Sequence, residues 1–416
     1  MKKIAILALA GMLLLGAVPW AMADEDGESF VESKAVVGYH YLDGEDFLAR
    51  LGEYVDLEEA ENLMPDMELE MYGGTDSALF RIMALYDNQY TNGFGLQIEG
   101  GKNWRAKTEY KSFYHNLDRD HMENLAAREI GPTIVDPGAD DPQDKFAPGG
   151  KQVFHSDLDP EGVYGIQYQR MDAEIEWDVP WLAHTTVYSR FNDQKRQGYK
   201  QQLSLAHCAV CHVESDGRKV DDQILTWTTG LETKVDKFAL NYDYTATHWT
   251  DHSSGLQRTY INAMHPTRGM EFGTPGQPGY ANYDVEFGSR VSFDGVTAPA
   301  FAPRSTTKQT HNVGARFELP AASILRAGYN RTDKTNGTTD LKGSFDSYVL
   351  SFMNRPTQTT RVTGRVLYYE TRVDDYDVDL DPWRAGRPGG DLDMDWTRIS
   401  SANRDVLQAD LNAGWR

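Results

Sequence analysis

Cysteine is nearly absent from this chain of 416 residues, which holds only Cys208 and Cys211. A small secreted scaffold stapled by disulfides needs several cysteine pairs, so the sequence excludes that class. The two thiols lie three positions apart, so any role they have is confined to one place in the chain.

Long apolar runs are also absent, apart from one at the N-terminus. Two lysines precede the apolar stretch 4–15, and Ala21-Met22-Ala23 resembles a small-residue cleavage site. Residues 1–23 are therefore predicted to be a secretory signal peptide. No later segment has the length of a membrane-spanning helix. A transmembrane β-barrel remains open, because only alternate residues of its strands face lipid.

Basic residues are scarce relative to acidic ones. The chain has 41 lysines and arginines against 63 aspartates and glutamates, giving a net charge of −22. Removal of the signal peptide, which has two lysines and no acid, takes this to −24. Such a charge argues against nucleic acid or anionic lipid as partners and favours basic proteins or cations.

Recognised catalytic motifs are missing as well. The sequence has no glycine-rich phosphate loop, no nucleophile elbow and no H-E-x-x-H zinc motif. It therefore predicts a protein that is not an enzyme.

Segments of period-two alternation are what the chain has in abundance. Near the C-terminus, for example, apolar and polar residues alternate between the two faces of one segment: Leu407, Ala409, Leu411, Ala413 and Trp415 against Gln408, Asp410, Asn412 and Gly414. About fourteen such segments follow Lys34, many with aromatic residues at their ends. Alternation of this kind is typical of β-strands with one apolar face.

The connections between these segments alternate in length. Short ones are predicted at 101–103, 179–184, 236–237, 320–322 and 355–358. Long ones are predicted at 42–65, 117–162, 192–220, 251–307 and 374–405. Short turns on one side and long loops on the other are typical of an outer-membrane barrel. The alternative is a soluble all-β sandwich or propeller.

The predicted fold is accordingly an all-β, transmembrane antiparallel β-barrel of about 14 or more strands, with long loops on one side. Residues 24–33 are predicted to be a short periplasmic N-terminal segment and 34–416 the barrel. The charged faces of the strands should line its lumen, because a lysine or arginine at the bilayer midplane costs roughly 2–4 kcal/mol. The lumen residues predicted in this way carry both signs of charge: Arg105, Lys107, Glu109, Lys111, Asp172, Glu174, Glu176, Arg361 and Arg365.

The two cysteines belong to the sequence His207-Cys208-Ala209-Val210-Cys211-His212, inside the predicted loop 192–220. In an exported protein, C-x-x-C-H is the attachment signal for c-type haem: Cys208 and Cys211 bind the vinyl groups, and His212 coordinates the iron. A reversible dithiol or disulfide and a partial zinc site with His207 remain alternatives. Nearby methionines and five histidines are available as a second axial ligand: His184, His248, His252, His265 and His311.

The signal peptide, the alternating strands with long loops on one side and the cysteine pair in an otherwise cysteine-free chain together resemble outer-membrane proteins of the MtrB/PioB family. The resemblance extends over nearly the whole mature chain, from Lys34 to Trp415. It implies the outer membrane of a Gram-negative bacterium, contact with outer-membrane lipid, and multihaem c-type cytochromes as partners on the periplasmic and outer faces.

The function implied by this resemblance is that of the porin component of a transmembrane electron conduit, which sheathes or docks cytochromes and can carry one haem c of its own. Two alternatives stay open. One is a passive diffusion porin whose cysteine pair is structural or redox-active, and the other is a soluble exported c-type cytochrome domain.

Overall fold

Strands make up all the regular structure of the described residues in a computed structural model of the chain. It describes residues 29–41, 63–88, 90–101, 103–120, 127–129, 153–182, 184–205, 212–253, 257–259, 271–272, 281–282, 297–299, 305–378 and 396–415. Within these ranges there is no helix that could cross a membrane. The predicted signal peptide, residues 1–23, lies outside them.

The structure contains twenty-two strands, numbered in chain order. They are β1 (Phe30–Tyr41), β2 (Leu63–Thr75), β3 (Ala78–Tyr86), β4 (Asn92–Gly100), β5 (Trp104–Leu117), β6 (Ala127–Glu129), β7 (Val153–Asp157), β8 (Tyr164–Asp178), β9 (Thr185–Leu205), β10 (His212–Val235), β11 (Phe238–Asp251), β12 (Gln257–Thr259), β13 (Glu271–Phe272), β14 (Ala281–Asn282), β15 (Thr297–Pro299), β16 (Ser305–Leu319), β17 (Ser323–Asn336), β18 (Lys342–Asn354), β19 (Thr360–Val373), β20 (Tyr376–Val378), β21 (Trp396–Arg398) and β22 (Arg404–Trp415).

Fourteen of these strands form one continuous antiparallel meander in the order β1-β2-β3-β4-β5-β8-β9-β10-β11-β16-β17-β18-β19-β22. The predicted fold is confirmed in its all-β class, its strand number and its antiparallel pairing. The first strand begins at Phe30, four residues before the predicted start of the barrel at residue 34. Among the described pairings, β1 pairs only with β2 and β22 only with β19.

The connections fall on two sides, as predicted. On one side they are short turns, including 101–103, 179–184, 236–237, 320–322 and 355–359. Left-handed backbone at Asp236, Ala321 and Ala322 lets two of these turns be tight. The other side has the long connections, although 87–91 and 337–341 are short there too. The first strand starts and the last one ends on the short-turn side.

The prediction that residues 192–220 form a loop is wrong, because most of this range is strand. β9 and β10 stay in antiparallel register from Thr185↔Thr233 to Leu205↔Val213. The error arose because polar residues occupy both faces of this stretch, so no apolar alternation marks it as strand. Only the connection 206–211 separates the two strands, which form a long hairpin on the side of the long connections.

One face of the meander has an apolar belt at mid-strand. The residues that define this belt are Ile98, Ala106, Ile175, Phe191, Leu231, Leu240, Phe317, Leu325, Leu350, Val366 and Leu411, and the pairings place them all on that face. Several are exposed although they are large and apolar, for example Leu350 at 49% and Leu411 at 79%. A large apolar surface is therefore exposed on this face, which is called the outward face below.

Aromatic side chains border the apolar belt on both sides. Toward the long connections, Tyr329, Tyr348 and Tyr368 form a row with ring centroids 4.9 and 6.2 Å apart. The next outward residues along those strands are charged, with Arg331 paired to Asp346 at 3.4 Å. Toward the short turns, Trp177 and Trp181 pack at 5.2 Å and Phe238 and Phe317 at 4.8 Å. Aromatic girdles of this kind border the lipid-facing band of membrane barrels.

Candidate functional site: the polar face and the β9–β10 hairpin

The face opposite the apolar belt is polar, and strand register sets its charges side by side. Arg105 lies opposite Glu176, and Lys107 lies opposite Glu174. Directly opposed residues of an antiparallel pair point to the same side. The pairings through β22 place the other predicted lumen residues, including Arg361 and Arg365, on this same face. The predicted two-faced pattern is thus confirmed.

Cations on the part of the polar face formed by β2 to β9 are paired with acids. Arg105 pairs with Glu176, and Arg190 with Glu174. The further pairs are Arg81 with Glu70 at 2.6 Å, Arg170 with Asp172 at 2.7 Å, Lys111 with Glu109 at 2.5 Å, Lys107 with Glu109 at 3.4 Å and Arg196 with Asp222 at 2.5 Å. This wall is therefore close to neutral in charge while remaining strongly hydrated.

Threonine hydroxyls continue the polar face across the following strands. Thr228 and Thr245 are hydrogen-bonded at 2.9 Å, and Thr310 and Thr332 at 3.1 Å. Cross-strand hydroxyl pairs of this kind stabilise neighbouring strands without adding charge. An aqueous lumen is the environment that such a surface needs, because unpaired hydroxyls facing lipid would be costly.

The C-x-x-C-H motif belongs to the tip of the β9–β10 hairpin. Cys208 and Cys211 lie outside the described residues. The backbone of His212 starts β10 and is in register with Phe154 of β7. On the outward face of β9, Asp193, Lys195 and Gln197 follow Phe191 of the belt, and from Asp193 to Leu205 the strand runs for about 40 Å at roughly 3.3 Å per residue. The motif is thus attached far beyond the apolar belt.

Polar pairs hold the hairpin together where it extends past the belt. Two guanidinium nitrogens of Arg196, Nε and Nη2, donate to the Asp222 carboxylate at 2.8 and 2.5 Å. Ser215, which is fully buried, lies 2.7 Å from the Gln201 amide. Burial, with help from the neighbouring Arg218 and Arg196, lowers the pKa of Lys200. The part of the hairpin that extends past the belt, residues 193–205 and 212–225, is called the stem below. These contacts show that the stem is packed.

The connection between β5 and β8 packs against this stem. β7 pairs in parallel with β10, and β6 pairs with β7. Arg119 contacts Asp157 and the Pro160 carbonyl, and the Tyr164 hydroxyl donates to Asp159 at 3.2 Å. Burial and the nearby carboxylate of Asp159 raise the pKa of Tyr164 to about 12. Sequence reasoning predicted this connection as one long loop, 117–162, and missed both short strands.

The candidate histidines lie at several places in the fold. His252 follows β11, and its backbone N–H donates to the Asp221 carbonyl of β10 at 2.6 Å. His184 lies in the short turn between β8 and β9, at the opposite end of β9 from Leu205. The imidazoles of His248 and His311 are on the outward face, hydrogen-bonded at 3.0 Å to Thr307 and Tyr242. His265 lies outside the described residues. No group of three potential metal ligands occurs in the part of the chain that the structure describes.

The donor set of the motif fits a c-type haem better than it fits zinc. Two thiols and the following imidazole are the groups that attach the porphyrin and bind its iron. A closed zinc site would need a fourth ligand beside His207.

Comparison with known proteins gives distant structural likenesses only. No protein-family model matches the chain, and no curated protein does. OmpT, an outer membrane protein of Vibrio cholerae, is 8% identical over 95% of this chain and 99% of its own, with a TM-score of 0.30. An anion-selective porin from Comamonas acidovorans is 8% identical over 93% and 98%, at 0.28.

A third likeness is to BauA, the ferric preacinetobactin receptor from Acinetobacter baumannii. It is 10% identical over 94% of this chain and 52% of its own, with a TM-score of 0.37. At these TM-scores the likenesses carry no inference about what this chain does. Its function has to be argued from its own surfaces.

Proposed function

We propose that this protein is an outer-membrane porin that serves as the channel component of a transmembrane electron conduit. The observation that carries the porin part is the two-faced meander. Its outward apolar belt lies between two aromatic borders, while the opposite face carries paired charges and hydroxyls. A closed barrel of these strands would present the belt to lipid and enclose water.

The electron-transfer part of the proposal rests on the C-x-x-C-H motif and on its place in the fold. Cys208 and Cys211 would hold one haem c covalently, and His212 would bind its iron, so that the haem supplies one electron carrier. The chain itself would make and break no substrate bonds. It would insulate the passage, fix the position of the haem and bind multihaem cytochromes at its two ends.

In this proposal the length of the hairpin places the haem away from the lumen, so electron exchange at the outer surface and passage through the membrane occur in different parts of the protein. A haem at the tip lies about 40 Å along the strand from the belt, at roughly 3.3 Å per residue. It therefore could not carry electrons through the membrane by itself. We assign it to the outer surface, where it would receive or deliver electrons at a docked cytochrome, while the lumen surrounds the carriers that cross the membrane.

Haem-stained gel electrophoresis tests the cofactor after the protein is expressed with the c-type maturation machinery. Covalent haem survives denaturation, so the wild type should stain, and the Cys208→Ala/Cys211→Ala variant should not. His184→Ala is the matched control, because His184 is on the opposite side of the sheet, and it should stain like the wild type. An unstained wild type with two alkylatable thiols would contradict the haem assignment.

A passive diffusion porin is the second candidate, and the paired charges on the polar face favour it. A wall on which most cations meet an acid gives a hydrated passage of low charge preference, which suits unspecific solutes. In this case the barrel would assemble and conduct ions, but its cysteines would form a disulfide or remain thiols. The same stained gel distinguishes the two candidates.

A further inference from the structure

Three arginines on the polar face differ from those on β2 to β9, because they form no ion pair with an acid among the described residues. Arg326, Arg361 and Arg365 lie on β17 and β19, and no ion pair or hydrogen bond to an acid is found for any of them among the described residues. All three are exposed. By contrast, each arginine described on the polar face of β2 to β9 contacts a carboxylate.

The three arginines line one depression of about 390 Å³ on the polar face, with Thr363, Asn412 and Asp410. In the register, Arg326 and Arg365 both lie opposite Ser351, so they are two strands apart on the same row. That corresponds to about 10 Å between their Cα atoms. Arg361 lies four residues earlier on the same strand as Arg365. The three side chains can therefore extend toward a common centre.

The acids near this depression do not cancel its charge. Asp410 lies opposite Arg365 in the register, and its carboxylate accepts a hydrogen bond from Gln408 at 3.4 Å. On the next strand Arg316 pairs with Glu318 at 2.9 Å, while its position opposite Arg326 adds a further positive group. With three arginines and one aspartate, the depression keeps a net charge of +2.

We propose that this arginine cluster, Arg326, Arg361 and Arg365, is a binding site for an oxyanion, that is, a phosphate or carboxylate group. Guanidinium groups offer several N–H donors in a planar fork and no acceptor, which matches two oxygens of such an anion. The Thr363 hydroxyl and the Asn412 amide add neutral donors. Bound anion would also relieve the repulsion among the three cations.

The arginine cluster rests on the proposed porin function and adds to it the chemical class of solute, an oxyanion, that the channel retains. The arginine cluster lies near the short turns 320–322 and 355–359, at the end of the meander where β1 starts and β22 ends. An anionic solute, or an exposed carboxylate or haem propionate of a protein inserted from that side, presents the required chemistry. The site would therefore act at the periplasmic mouth.

Planar bilayer recording with the full mature chain tests the site, with inorganic phosphate as the probe. Phosphate added on the short-turn side should reduce chloride current through the wild type. In R326Q/R361Q/R365Q this block should be lost, and the reversal potential in a KCl gradient should shift toward cation preference. The matched control R331Q/R372Q/R398Q removes the same charge from acid-paired or outer positions and should behave as the wild type.

The outcomes separate the site from the function that it rests on. A channel that conducts, with equal phosphate block and reversal potential in wild type and R326Q/R361Q/R365Q, would overturn the anion site and leave the porin intact. A properly inserted protein that conducts nothing would overturn the porin and the site together. Heat-modifiable gel migration of each variant verifies that the barrel has formed before it is recorded.

Discussion

At the scale of single residues, Tyr164 reports how tightly the β5–β8 connection is packed on the hairpin stem. Its side chain is buried and its hydroxyl donates to Asp159. Because its pKa is raised to about 12, the stability that this tyrosine contributes is fully present below its ordinary pKa of 10.0 and is lost as pH rises through about 12.

Ultraviolet titration of phenolate formation checks this assignment. The difference between wild type and Tyr164→Phe should show one tyrosine that ionises with a midpoint near 12. The variant should also lose roughly 0.5–1.5 kcal/mol of local stability with its hydrogen bond. A difference curve centred near 10 would show that the side chain is not buried beside a carboxylate.

At the scale of elements, the long hairpin is the feature that organises the outer surface. Hydrogen exchange should be slow at the paired amides of 196–205 and 213–222, because both stretches have ladder partners. Ser215→Lys would bury an ammonium where the side chain is now fully enclosed, and we expect exchange there to rise at least about tenfold. Lys219→Gln, which removes an exposed cation, is the control.

Exchange in the wild type as fast as in an open loop would contradict the hairpin. Unchanged exchange in Ser215→Lys would show that the Ser215 side chain is not enclosed in the packed hairpin. Both measurements are made on the same amides, so the variant and its control can be compared directly.

The strands that the sequence predicted well are those with one apolar face. β22 and β8 alternate cleanly because their outward residues meet an apolar environment, and this periodicity is visible without a structure. The extension of β9 and β10 is mostly polar on both faces, so apolar alternation does not mark it and its pairing could not be predicted. The short strands β6 and β7 depend on contact with β10, which is distant in sequence.

The candidate site was predictable to a similar extent. The alternation placed Arg361 and Arg365 on the polar face, and the same parity applied to β17 would have included Arg326. Which cations find an acid, however, depends on register between strands, and a shift of one residue exchanges the two faces. The cluster of unpaired arginines therefore emerged only from the pairings.

At the scale of the whole molecule, the apolar belt predicts which face meets lipid. Leu350→Arg places a cation in the middle of the belt, which should cost roughly 2–4 kcal/mol and reduce assembly in the outer membrane. Ser347→Arg, on the same strand but on the polar face, should assemble normally. Heat-modifiable migration of outer-membrane fractions compares them, and equal assembly of the two variants would show that the belt does not face lipid.

The most direct test of the electron conduit is dye reduction across a membrane. Wild type and Cys208→Ala/Cys211→Ala are reconstituted, each with the co-purifying cytochromes, in liposomes that enclose an oxidised dye, and reductant is added outside. We predict that the wild type reduces the dye and that the variant does so more slowly at equal cytochrome content. Absence of dye reduction by the wild-type complex, with its cytochromes bound, would contradict the proposed function.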